Sequence, residues 1–351
     1  MQNLPFVSII IVNYNGKWHL EECLPSLESL DYPEDKFEII LVDNCSKDGS
    51  VEFVKEKFPR VKILRLDKNY GFCKPNNEGA KIAKGKYLAF INNDTIVDKN
   101  WLRELVNGTQ KQPNILCCAS KILYYDRRNI INAAGGKITP IGGGFYIGYG
   151  EKDREEFSKF TYTGFGCGAG VLIDADFFRD IGGFDEDYFA SGEEQELGLR
   201  VWMCGYRVLY VPKAIIYHKE SGTYGTKGTF QPVKVYLITR NRLYNLLKNF
   251  ELKNILLGFI IGLLFDLHRL IIYLLSQNSA LVMSIFRAYL HVAKNLKKTL
   301  KKRKIIQSKR KLSDKELYKL GVIASLKECI IEEKRLLGIF KTYANLSRRA
   351  V

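Results

Sequence analysis

Between residues 7 and 98, short apolar runs alternate with stretches of helical spacing, and each run empties into a cluster of Asn, Asp, Ser or Gly. Few architectures accommodate that rhythm. Val7 to Val12 stops at Asn13-Tyr14-Asn15-Gly16, and Glu38 to Val42 stops at Asp43-Asn44-Cys45-Ser46-Lys47-Asp48-Gly49-Ser50. Val61 to Leu66 leads to Asn69-Tyr70-Gly71-Phe72, and Tyr87 to Ile91 stops at Asn92-Asn93-Asp94. Runs of five or six residues suit strands buried in a parallel sheet and are too short for helices. Leu20, Cys23, Leu24 and Leu27 recur at helical spacing, and further helices are predicted at Val51 to Phe58 and Asn76 to Ala83. The pattern predicts an α/β fold with a doubly wound, mostly parallel sheet. The polar strand ends then share one edge, where such sheets bind ligands.

Beyond Asp98 the sequence predicts a helix from Trp101 and a strand near Leu116 to Leu123. Seven glycines in the sixteen residues from Gly135 to Gly150 suggest a mobile loop or a set of tight turns. A strand at Ala169 to Ile173 and a helix at Asp174 to Ile181 follow. Six acids lie between Asp185 and Glu196, ahead of a helix from Glu193 to Cys204. Two strands are expected at Arg207 to Val211 and Ala214 to Tyr217, the second delivering His218.

Oxygen-bearing side chains at Asn92-Asn93-Asp94 suit a hard divalent cation that holds a phosphate, although the same residues can make a plain polar turn. Asp43 can accept from a base or ribose, or cap the helix that follows. An acidic first turn is favoured by the helix dipole, which accounts for one or two acids at Glu193 but not for all six. The eight cysteines show no Cys-x-x-Cys pair or His partner at metal spacing, as expected of reduced thiols. The first residues lack the basic start and long apolar core of a signal peptide, so the body is expected in the cytosol.

Five blocks stand in one order: VSIIIVNYNG, ILVDNCSKDGS, NYGFCKPNNEG, INNDT and GGFDEDYFASGEEQELGLRVWMCGYRV. Over residues 7 to 218 the chain resembles glycosyltransferase family 2, the inverting nucleotide-sugar transferases with a GT-A fold, in the branch that includes rhamnosyltransferase-like enzymes. The resemblance implies that Asn13 and Asp43 contact the nucleotide, and that Asn69, Gly71 and Asn77 shape the donor pocket. Asn92, Asn93 and Asp94 stand where the family has its Asp-x-Asp element, with Asp94 supplying the carboxylate for Mg²⁺ or Mn²⁺. Glu193 and Glu194 align with the family's Glu-Asp pair, whose second acid is the general base. His218 falls where related enzymes often place a metal or phosphate ligand, although a lone His is also commonly structural. Arg240-Asn241-Arg242 falls where similar enzymes carry a basic pair, facing either an anionic acceptor or solvent.

The net charge of +16 is unevenly placed: residues 1 to 283 carry 35 Lys/Arg against 33 Asp/Glu, whereas residues 284 to 351 carry 19 against 5. Within 255 to 287, Gly258, Gly262, Asp266, Arg269, Tyr273, Gln277, Ala280, Ser284 and Arg287 form a narrow small-or-polar stripe at helical spacing. The opposite face is apolar, as in a helix lying in or dipping into a membrane interface. The basic block Lys297 to Lys304 that follows suits anionic headgroups. The expected division is a GT-A domain at 1–225, an amphipathic membrane-interface segment at 226–290 and a basic helical tail at 291–351. The expected function is transfer of a sugar from a nucleotide-sugar donor to a lipid-linked or other cell-surface glycan acceptor, with the enzyme peripheral or monotopic at the cytoplasmic face of the cell membrane. The competing expectations are a nucleic-acid-binding protein that uses the basic tail and an inactive GT-A scaffold. The tail lacks interleaved aromatics, and nucleic acid is not an expected partner.

Overall fold

The computed structural model describes residues 4–220 and 231–336. The chain divides into two compact units: the described residues of Met1–Gly136 with Tyr146–Ser221, and those of Lys137–Phe145 with Gly222–Val351.

In the first unit β1 (Val7–Asn13), β2 (Phe37–Asp43), β3 (Lys62–Arg65) and β4 (Tyr87–Asn92) alternate with α1 (Lys17–Glu28), α2 (Ser50–Lys57) and α3 (Cys73–Ile82). These strands are parallel and lie in the order β4-β1-β2-β3. Ile9, Ile10 and Ile11 of β1 and Leu88, Ala89 and Phe90 of β4 are fully buried, so both sheet faces are covered and the runs are continuously apolar. Asn13 pairs level with Asp43, and Val12 with Asn92. That register gathers the polar ends of β1, β2 and β4 on one edge.

The remaining elements of this part of the chain are β5 (Thr95–Val97), α4 (Trp101–Thr109), β6 (Ile115–Tyr124), β7 (Ile131–Ala133), β8 (Gly136–Ile138), β9 (Gly144–Tyr146), β10 (Thr161–Tyr162), β11 (Gly170–Asp174), α5 (Ala175–Asp180), α6 (Glu193–Met203) and β12 (Arg207–His218). Beyond β4 the sheet continues through β11, β6, β12 and β10. β11 is antiparallel to both neighbours, whereas β12 runs parallel to β6. Two expectations need correction here. The glycine-rich stretch is not simply a loop, because β8 and β9 pair within it as a small sheet. The two strands expected around Pro212 are one strand, β12, whose register against β6 shifts between Val211 and Ile215. Pro212, Lys213 and Ala214 have no partner on β6 there, so the residue that cannot donate is left out of the ladder.

The second unit contains α7 (Pro232–Asn249), α8 (Leu252–Leu275), α9 (Ser279–Lys294), α10 (Leu296–Ser308) and α11 (Asp314–Lys319). The single helical stripe expected over 255 to 287 is broken, since α8 ends before Ser276 and Gln277 takes a φ of 55°. The small-and-polar residues of α8 are nonetheless its buried face: Gly258, Gly262, Asp266 and Tyr273. A Cβ at Gly262 would lie 2.2 Å from Arg242 Nη1, so only glycine admits the guanidinium there. Arg242 Nη2 meets Asp266 Oδ2 at 2.6 Å, and the Tyr289 hydroxyl donates to the same oxygen at 2.8 Å. Arg269 Nη1 approaches Asp266 Oδ1 at 3.3 Å. The expectation of a solvated or acceptor-facing Arg240-Asn241-Arg242 is therefore corrected, because all three are buried and Arg242 is committed to Asp266. Such a pair is worth keeping intact: removing one partner of a buried ion pair typically costs about 3–5 kcal/mol. The opposite face of α8 is apolar and exposed, with Leu256, Ile260, Leu264, Ile271 and Leu275 all more than 45% accessible.

Candidate active site

The site is assembled on the carboxyl edge of the sheet. Asn13 at the end of β1 is wholly buried. Its Nδ2 donates to Ser46 Oγ at 3.1 Å and Ser50 Oγ at 3.0 Å, and its Oδ1 accepts from Asn93 Nδ2 at 2.8 Å. Asn13 and Asn93 thus tie the β1, β2 and β4 ends together. Asp43 at the end of β2 is also wholly buried; its Oδ2 accepts from Ser46 N at 3.2 Å and lies 3.8 Å from Arg65 Nε. Its Oδ1 has no hydrogen-bond partner among the described residues. A buried carboxylate oxygen without a donor costs stability unless something donates to it, so this atom marks a place for a ligand N–H or O–H. The helix-cap alternative for Asp43 fails, since Asp48, not Asp43, accepts from Ser50 N at the start of α2.

The Asn69 to Phe72 loop is pinned beside it. Asn69 Oδ1 accepts from Asn44 Nδ2 and Gly71 N, each at 2.9 Å. Gly71 has a φ of +79°, and a Cβ there would lie 2.1 Å from Phe189 O, so backbone freedom and space both demand glycine. Asn77 faces elsewhere. Its amide brackets Phe184, accepting from the backbone N and donating to the O, each at 2.9 Å, and so anchors the acidic loop that leads into α6.

Asn92 ends β4, where its carbonyl accepts from Thr95 Oγ1 at 2.6 Å. Asp94 Oδ1 lies 3.2 Å from His218 Nε2, delivered by the end of β12. His218 Nδ1 is 3.2 Å from Asn132 Oδ1, and Asn132 Nδ2 donates to Glu220 Oε1 at 2.7 Å. Glu220 therefore fixes the Asn132 amide with its oxygen toward the ring, so Nδ1 carries a hydrogen. Nε2 then faces the Asp94 carboxylate and requires either a proton or a cation between them. Burial lowers the His218 pKa, but the charges of Asp94, Glu220 and Glu194 outweigh it and leave it raised. One carboxylate and one imidazole fit a divalent cation whose other positions are filled by substrate oxygens and water. Among the described residues no cluster of three or more His, Cys, Asp or Glu side chains forms a closed metal site.

Glu193 and Glu194 open α6. Glu194 is clamped at both oxygens, with the Tyr146 hydroxyl donating to Oε1 and Gly168 N to Oε2 at 2.7 Å. Its pKa is raised, because burial outweighs the lowering by Tyr146, Gly168 and the nearby His218. That mutual influence with His218 puts the acid and the Asp94–His218 pair in one electrostatic neighbourhood. Glu193 is more deeply buried and its Oε2 has no hydrogen-bond partner among the described residues. Burial, then the charge of Glu194, pushes its pKa up to about 8.

That shift has a checkable sign. Between its ordinary 4.5 and about 8 the folded protein holds a proton that the unfolded chain releases, so stability falls as pH rises through this window and levels off above it. Glu193→Gln should flatten that slope in melting temperatures recorded from about pH 5 to about pH 8.5. Parallel losses in wild type and variant would assign the slope to another group.

Tyr146, Gly168, Asn132, Glu220, Asn44 and Ser46 were not singled out in the sequence. Their partners lie far away in the chain, as with Tyr146 and Glu194, 48 residues apart, and local spacing carries no such signal.

Residues 8–182 match the model of glycosyl transferase family 2. N-acetylgalactosaminyltransferase 4 of Drosophila melanogaster is 28% identical over 251 residues, covering 65% of this chain and 37% of that protein. The O-antigen biosynthesis protein RfbC of Myxococcus xanthus is 29% identical over 233 residues, covering 64% of this chain and 18% of that protein. The chain therefore spans well under half the length of these relatives. A crystal structure of GalNAc-T7 with UDP, GalNAc and Mn²⁺ superposes with a TM-score of 0.56 at 21% identity, covering 70% of this chain and 48% of that one. The superposition bears on the fold.

Proposed function

Residues 8–182 place this chain in glycosyl transferase family 2, and from that premise we propose that it transfers a sugar, with inversion, from a nucleotide-sugar donor to a lipid-linked or other cell-surface glycan acceptor. One observation carries the reading: the unsatisfied Asp43 Oδ1, the Asp94–His218 pair and the clamped Glu194 belong to one sheet-based unit. Asp43 would accept from the base or ribose. Asp94 and His218 would hold a divalent cation, which when bound supplies Lewis-acid charge at the departing diphosphate. Glu194 would take the proton of the acceptor hydroxyl as that oxygen bonds to the anomeric carbon and the carbon–phosphate-oxygen bond on the opposite face breaks. The nucleoside diphosphate leaves with the electron pair, and the anomeric configuration inverts.

The placement proposed is the cytosolic face of the membrane. α8 is the one helix among the described residues long and apolar enough to cross a bilayer, with mean hydropathy 2.2 and only 17% of its apolar window buried. A soluble core helix would be mostly buried. In α10, Lys297, Lys298, Lys301 and Lys304 are exposed, and each Lys near an anionic surface adds about 1 kcal/mol.

The test is a screen of nucleotide sugars against the purified full chain with Mn²⁺ and a membrane lipid extract, scoring nucleoside diphosphate. One donor should release it in a lipid-dependent way; silence with every donor would remove the transferase reading. In parallel the chain should sediment with anionic phosphatidylglycerol vesicles and be released only partly by high salt, because apolar contact is not screened. If it stays in the supernatant at low salt, a soluble acceptor replaces the lipid-linked one.

A further inference from the structure

Resting on the reading of Glu194 as the base, we propose that Tyr146 is a positioning residue that aims the Glu194 carboxylate and favours its charged form against the burial that opposes it. The sequence offers Tyr146 only as an aromatic within a run of glycines, yet the fold gives it a specific post. It closes β9, packs its ring against Phe165 at a centroid distance of 5.7 Å, and directs its hydroxyl at Glu194 Oε1.

A buried glutamate beside a second glutamate would by default stay protonated. Glu193, its neighbour on α6, shows the default: no hydrogen-bond partner at Oε2 and a strongly raised pKa. Burial raises the Glu194 pKa as well, but two donors oppose the rise, the Tyr146 hydroxyl and the Gly168 backbone N–H. A hydrogen bond given to a carboxylate favours its charged form. The backbone donor is indifferent to residue identity, so Tyr146 is the side chain through which this protein sets the acid. The donors leave further lone-pair sites on the carboxylate for an acceptor hydroxyl.

The other groups that face Glu194 are few. Gln195 Nε2 lies 3.5 Å from Oε1, His218 acts from β12, and Glu193 acts from the same helix. Cys167, beside Gly168, is buried and its thiol pKa is raised by burial and by Glu194 itself, so it stays neutral. None of these is a hydroxyl; among the described residues the hydroxyl that donates to the acid is that of Tyr146.

The experiment is infrared double-difference titration of the full-length protein, with Glu194→Gln used to assign the Glu194 carboxyl band. Tyr146→Phe keeps the ring and removes the donor. It should raise the Glu194 midpoint by about 1–2 pH units, the worth of one hydrogen bond to a charged group. Difluorotyrosine at position 146, a more acidic phenol and so a stronger donor, should move the midpoint the other way. A structural role alone would not give shifts of opposite sign. An unchanged midpoint in both variants overturns the proposal. If Tyr146→Phe fails to fold, the fluorinated protein decides alone. Because the readout needs no substrate, a protein that shows these shifts but turns over no donor would condemn the transferase reading and leave the clamp standing. Active protein without the shifts would do the reverse.

Discussion

Glu194→Gln is expected to lower turnover by roughly 10²–10⁴-fold, the range for loss of a general base, while leaving the fold and the affinity for nucleoside diphosphate intact. Glutamine is isosteric and its Oε1 can still accept from Gly168 N, which in the native protein donates to Glu194 at 2.7 Å. It cannot accept a proton at neutral pH. Glu193→Gln should cost much less, because Glu193 is raised to about 8 and is therefore largely protonated already at pH near neutrality. Steady-state rates and calorimetric titration with nucleoside diphosphate on both variants separate the two roles. If Glu193→Gln proves the more damaging, the roles of the two acids must be exchanged.

The second large effect is expected at the cation. Asp94→Ala removes the carboxylate of the Asp94–His218 pair and leaves the imidazole alone, so Mn²⁺-dependent binding of nucleoside diphosphate should vanish and chelation of the wild type should mimic it. His218→Ala should weaken cation binding less, since a carboxylate is the stronger partner for a hard ion. Full activity in EDTA would exclude a metal role for Asp94. Asn132→Leu supplies an internal control, because it frees the His218 ring without touching a ligand. Outer partners of this kind typically change metal affinity 10–100-fold.

How much of this was visible in the sequence differs element by element. β1, β2 and β4 were legible because burial on both faces forces continuous apolar runs, and Ile9 to Ile11 and Leu88 to Phe90 are indeed inaccessible, whereas the edge strand β3 is half-exposed and interrupted by Lys62 and Arg65. Their polar ends were legible for the same reason, since a strand must stop where side chains meet water or a ligand. β12 was not, because Pro212 looks like a strand terminator when the accommodating register shift against β6 is unseen. The reversal of β11 between β4 and β6 leaves no local mark either. In the site, residue type pointed to Asp43 and Asp94 and the family resemblance to His218 and Glu194, but which atoms stand open depended on long-range partners. Asn13 lies at the end of β1, yet its amide is consumed by Ser46, Ser50 and Asn93, and the Asn77 amide is consumed by Phe184. The polar stripe of α8 was readable at helical spacing. That its purpose is to receive Arg242 was not.

That reception bears on how the protein is made. Asp266 sits in the middle of α8, and an acidic side chain at the centre of a lipid-facing helix is penalised by about 2.5–3.5 kcal/mol on translocon-based scales. Its counter-ion, Arg242, lies 24 residues earlier in the chain. During synthesis the guanidinium therefore emerges before the carboxylate, and α7 is already complete when Asp266 leaves the ribosome. An unpaired Asp266 would oppose burial of α8 in lipid, whereas the Arg242–Asp266 pair presents the helix neutralised with its apolar face outward. On the proposed membrane placement, the partner that neutralises Asp266 is therefore made before α8 can meet lipid.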